Sequence, residues 1–190
     1  MRRTLLVLGL SLAATPAFAH LDPAAHGSFA AGFSHPFFGL DHLLAMVGVG
    51  LWASLLGGRA VWAVPAAFVG AMVLGFAAAI AGLGLPFVEP VVGASVVVLG
   101  LAALVALRAP TGWAAMLVGF FALFHGFAHG GELGAAGAWA FAGGFAAATA
   151  LLHGTGVALG VALGRLSGRV GARALGGLTA LGGLWVLAGG

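Results

Sequence analysis

From residue 36 onward the chain is a succession of apolar runs, each close to the length of a bilayer crossing. They fall at residues 36 to 56, 60 to 83, 88 to 107, 111 to 130, 137 to 163 and 171 to 188. A hydrocarbon core takes a helix of ~20 residues. Within it no water pairs with the backbone, so each run must satisfy its own N–H and C=O groups as a helix. Of 190 residues, 62% are hydrophobic and 6% charged, too little polar surface for a domain facing water. The expectation is an all-α membrane protein: six transmembrane helices over residues 35–190, surrounded by lipid, in the bacterial inner membrane and without an internal repeat.

The first residues form a separate unit. Arg2 and Arg3 precede an apolar run from Leu5 to Ala14, followed by Pro16 and the small residues Ala17 and Ala19. That run is shorter than a span, and the pattern predicts a cleavable signal peptide over 1–19. Residues 20–34 are then a periplasmic N-terminal segment. With the first span starting outside, Arg59, Arg108, Arg165, Arg169 and Arg173 all fall in cytoplasmic loops, as the positive-inside rule requires. Both mature termini are expected outside. Trp52, Trp62 and Trp113 fall at inner ends and Trp139 and Trp185 near outer ends, where an indole buries its ring and keeps its N–H wet. Gly156, Gly160, Gly164 and Gly168 recur every fourth position, which predicts a smooth face for close helix approach.

Formal charge is +3, but the basic residues are seven scattered arginines with no basic stripe, so a nucleic-acid partner is discarded. The chain has no cysteine. Disulfides, iron–sulfur clusters and thiolate sites are excluded, and any metal is expected to be held by nitrogen and oxygen, which favours imidazole and carboxylate ligands.

An ionisable group near the bilayer centre costs at least ~2.5 kcal/mol on the lenient insertion scale, so those retained ask for a reason. Two segments concentrate them: His35, Asp41 and His42 at the outer start of the first span, and His125, His129 and Glu132 at the outer end of the fourth. His125 and His129, four apart, share a helix face. Pro36 suits a first helical turn. His35 and His42, seven apart, share a face if the helix begins there, while Asp41 points elsewhere, as a ligand or as a group that orients a histidine ring. The two helices run in opposite directions, so both clusters reach the outer leaflet and can meet. His153 lies deeper and is a candidate second station, against the commoner reading of a lone helix histidine as a packing residue. His20, Asp22 and His26 form a candidate capture site after signal cleavage, against an ordinary tail. Glu89 is a candidate outer ligand, against a solvated carboxylate at a helix start.

At these residues the chain resembles the HupE/UreJ family of nickel transport proteins. The likeness rests on HPFFGLDHLLAM at 35 to 46, FHGFAHGGEL at 124 to 133 and, more weakly, ATALLHGTG at 148 to 156. It implies a six-helix nickel permease, with cobalt as a second ion, and a link to the nickel enzymes hydrogenase or urease. By the same resemblance the metal-handling residues are His35, Asp41, His42, His125, His129 and Glu132. The residues themselves supply only a nitrogen–oxygen site.

The leading function is uptake of a divalent metal ion as substrate, with no permanently bound cofactor and no enzymatic step. No phosphate-binding loop is present, so ATP is not the direct energy source. The competing reading is an intramembrane zinc-dependent hydrolase in which Asp41 or Glu132 activates water. A third is a haem protein with histidines on facing helices.

Overall fold

The computed structural model describes residues 28–130 and 137–189. The expected signal peptide, His20, Asp22, His26 and Glu132 lie outside the described residues. Those described form helices and the turns that join them, with no strand. The elements are α1 (Phe29–Ser34), a 3-10 turn (His35–Phe37), α2 (Leu40–Leu56), α3 (Ala60–Ile80), α4 (Val88–Leu104), α5 (Thr111–Gly130), α6 (Ala138–Ser167) and α7 (Arg169–Leu187).

Four helices, α3, α5, α6 and α7, are long and apolar enough to cross a membrane. A fifth span results if Phe29–Phe37 and Leu40–Leu56 count together, although they meet at 82°. Helix α4 is largely apolar but has only 17 residues. The expectation of one helix from Pro36 to residue 56 is corrected. Pro36 sits in the 3-10 turn, and the helix proper starts with extended Gly39 as its N-cap. A Cβ on Gly39 would stand 2.9 Å from Asp41 Oδ1 and 3.1 Å from His42 Nδ1, so the break leaves room for those two side chains. Part of the 20–34 segment also joins the bundle: α1, capped by the Ser28 hydroxyl, packs along α6.

Glycine decides which helices touch, because in lipid close van der Waals packing replaces the hydrophobic drive. Added Cβ atoms at Gly75 and Gly126 would run into backbone carbonyls across the α3–α5 contact, at Leu123 and Met72. Gly50 and Gly156 meet the facing backbone between α2 and α6, at His153 and Val47. Gly100 and Gly176 do the same between α4 and α7, and Gly32 and Gly144 between α1 and α6. The expected four-residue glycine face is half right. Gly156 and Gly160 press on α2, but Gly164 faces open space and Gly168, at φ +60°, ends α6.

The two ends of the bundle differ chemically. Arg169 Nη2 donates to the Leu55 carbonyl at 2.7 Å and Arg173 Nε to the Leu104 carbonyl at 2.7 Å, filling carbonyls that helix ends leave open. The Trp52 indole N–H donates to the Leu107 carbonyl at 3.0 Å. These bonds gather the end of α2, the end of α4 and the start of α7. Arg59 and Arg108 lie in the adjoining turns and Arg165 in the last turn of α6. Trp52 corrects its expected role: it is fully buried, a clamp between α2 and the α4–α5 turn, whereas Trp62, Trp113, Trp139 and Trp185 are exposed as membrane-interface rings are.

Candidate metal site

At the end opposite the arginines, the start of α2 meets the last two turns of α5. The His42 and His129 rings lie 4.6 Å apart between centroids, with Nε2 to Nε2 at 2.7 Å. The His125 ring is 4.9 Å from His42. His35, carried by the 3-10 turn, closes the group from above, 4.3 Å from His129 and 6.2 Å from His42. His35 and His42 therefore meet across a bend in the chain and not along one helix face, which corrects the reason they were expected together. The bend brings His35 over the site, where a straight helix would have carried it away along the axis.

Asp41 bonds to His42. Its Oδ1 accepts from the His42 backbone N–H at 2.8 Å and from His42 Nδ1 at 2.8 Å. The carboxylate thus fixes both the first turn of α2 and the ring, holding the proton on Nδ1 and turning Nε2 toward His129. This is the placement that an orienting role, offered as an alternative to direct ligation, would require. Burial is nearly complete for three of the rings, with His125 at 0% and His42 and His129 at 6% exposure.

Other groups shape the site. The Ser95 hydroxyl on α4 lies 2.9 Å from His125 Nε2 and donates to the Val92 carbonyl at 2.6 Å. It therefore accepts from the imidazole, and Nδ1 of His125 is left as a buried lone pair without a partner. Phe145 on α6 faces three of the histidines, with centroids 4.9 Å from His129 and 6.0 Å from both His35 and His42. Phe68 on α3 touches His125 at 5.6 Å and His153 at 5.0 Å. Ser95 was readable as the one hydroxyl in an apolar span. Phe145, two turns before His153, was readable as part of the same face, but no pattern announced which helices would sit beside α5.

His153 is deeper, in the middle of α6, with its backbone against Gly50 of α2. It is 1% exposed and both ring nitrogens lack a hydrogen-bond partner. Glu89 is exposed in the first turn of α4, as a solvated helix-start carboxylate is.

Among the described residues no three His, Asp or Glu side chains converge as ligands of one ion. The 2.7 Å between His42 and His129 is a hydrogen bond. Two nitrogens on one ion, each at about 2.0–2.1 Å, stand roughly 3 Å apart or more. Small rotations of the two rings separate the one arrangement from the other. The group is thus a row of imidazoles in mutual contact.

The model of the family described as HupE / UreJ protein matches residues 8–186. The chain belongs to the HupE / UreJ family. It is also similar to Protein HupE of Rhizobium leguminosarum bv. viciae, 44% identical over 191 residues that cover all of both chains. No solved structure matches it. The family relationship thus spans every element of the histidine site: the 3-10 turn, α2, α4, α5 and α6.

Proposed function

We propose that this chain is a permease that carries nickel, and cobalt as a related ion, inward across the bacterial inner membrane in support of nickel enzymes such as hydrogenase or urease. In this reading α4 and the bent α1–α2 pair each count as a span, making six. The arginine end faces the cytoplasm and the histidine end faces out. The observation that carries the reading is the meeting of His42 and His129 from antiparallel helices, with His35 and His125 on either side, in a bundle built for lipid.

A cation arriving at the outer end exchanges water for imidazole at His35 and His129, then at His42 and His125, and leaves inward by way of His153. Imidazole with carboxylate support suits nickel, cobalt and zinc alike; the choice of nickel follows the family. His20, Asp22 and His26 would collect the ion, and Glu132 would serve as an outer ligand. A row of weak sites favours conduction, which needs binding strong enough to enter and weak enough to leave. A membrane potential of 100 mV contributes about 4.6 kcal/mol to a divalent ion. A hydrolytic zinc centre, by contrast, holds its ion on three fixed ligands with a water in the fourth place, and the site gives that alternative no support.

The test is uptake of radioactive nickel by cells expressing His42→Ala or His129→Ala. Both variants lose uptake while reaching the membrane in normal amount. Wild-type rates in both end the proposal.

A further inference from the structure

Between the outer histidines and His153 lies a layer that the transport reading leaves without a role. Met46 stands one turn below His42 on α2. Thr149 stands one turn below Phe145 and one turn above His153 on α6. Met72 comes from α3, its carbonyl against Gly126 beside His125. All three are buried, at 0%, 0% and 1% exposure for Met46, Thr149 and Met72. The Thr149 hydroxyl reaches both sulfurs, 3.4 Å from Met46 Sδ and 3.6 Å from Met72 Sδ.

That hydroxyl behaves unlike its counterparts. Ser34, Ser54, Ser95, Thr155, Ser167 and Thr179 each donate to a helix carbonyl three or four residues back. This is the ordinary way for a hydroxyl in an apolar helix to satisfy itself. Thr149 forgoes the strong carbonyl acceptor and turns to two weak ones. Methionines placed only to fill space need no hydroxyl between them. Two polarizable sulfurs and an oxygen thus meet one turn below His42 and one turn above His153, whose two ring nitrogens both lack a partner.

We propose that Met46, Met72 and Thr149 form a sulfur-lined station through which the ion passes from His125 to His153, and that it selects against hard cations. This rests on the transport reading above. Thioether sulfur is neutral and soft: it accepts a partly dehydrated nickel or cobalt ion, but replaces water poorly for magnesium, which takes oxygen ligands and gives up its water reluctantly. The histidines then capture the ion, and the sulfur layer decides which captured ion proceeds.

Selenium makes the station visible. The chain has no cysteine and four methionines. Of these Met116 is 72% exposed on the outside of the bundle, and Met1 precedes the expected cleavage site. Full-length protein grown on selenomethionine, purified and loaded with nickel, is measured at the selenium absorption edge. Nickel appears as a scatterer around selenium, and the signal disappears in Met46→Leu/Met72→Leu. Leucine conserves volume, so the fold is kept. In cells this double variant loses about tenfold in nickel uptake, the low end of what a lost supporting group costs a metal site, and nickel uptake becomes sensitive to excess magnesium. Nickel bound to the protein with no selenium neighbour overturns the station, as does wild-type uptake and magnesium resistance in the double variant. Either result leaves the histidine permease standing. Wild-type uptake in His42→Ala and His129→Ala would instead remove the permease itself.

Discussion

Asp41 offers the sharpest separation of charge from geometry. Its Oδ1 accepts two bonds from His42, both 2.8 Å, and the carboxylate is 22% exposed. A hydrogen bond to a charged group contributes about 1.5–3 kcal/mol, and this partly exposed one belongs at the low end. Removing a group that orients a metal-binding histidine typically costs 10–100-fold in affinity, about 1.4–2.7 kcal/mol. Asp41→Ala removes the acceptor, frees the ring and opens the first turn of α2. The half-saturating nickel concentration for uptake should rise by about 10- to 100-fold. Asp41→Asn keeps an oxygen in place, so the ring stays oriented while the charge behind it is lost. Its rise should be smaller, near the lower limit. The assay is initial-rate uptake of labelled nickel against external concentration, with membrane abundance measured alongside. Equal and large losses in both variants would mean that the carboxylate is itself a ligand. Wild-type affinity in Asp41→Ala would refute the orienting role altogether.

Three further outcomes follow from the same geometry. Gly126→Ala puts a methyl group against the Met72 carbonyl and should destabilise the α3–α5 contact by about 1–3 kcal/mol, whereas Gly164→Ala, facing open space, should leave thermal unfolding in detergent unchanged; equal midpoints would contradict the packing account. Uptake should fall as external pH is lowered, because protons compete with the ion for imidazole nitrogens; a rate independent of pH over the range in which the protein stays folded contradicts imidazole capture. Trp52→Phe leaves the Leu107 carbonyl unpaired and should cost about 1–3 kcal/mol, read as a lower unfolding temperature, while Trp113→Phe at an exposed ring should not.

Much of the helical plan was legible because apolar length is a strong signal. Helix α5 occupies residues 111 to 130 as read, and α3, α6 and α7 begin within two residues of expectation. The start of the first span was not legible, because Pro36 fits a first helical turn and a 3-10 turn equally well. The outcome depends on Gly39, whose extended backbone lets the chain turn between His35 and His42. The pairing of the two histidine segments could be argued from helix direction alone, and it appears in the structure. The neighbours of that pair could not. Ser95 beside His125, Phe145 over three imidazoles and the sulfurs around Thr149 come from α2, α3, α4 and α6, and their proximity depends on which glycine faces match. Gly156 and Gly164 read alike in sequence, yet one meets α2 and the other meets nothing. Periodicity places a residue on a face but does not say what that face will touch.

The central claim is that imidazoles from α2 and α5 share one passing ion. Nickel K-edge absorption on the loaded, purified full-length protein counts them directly. The account predicts at least two imidazoles around nickel, with one lost in His42→Ala and one lost in His129→Ala. A nickel shell made of oxygen alone, or one that neither substitution changes, would contradict it.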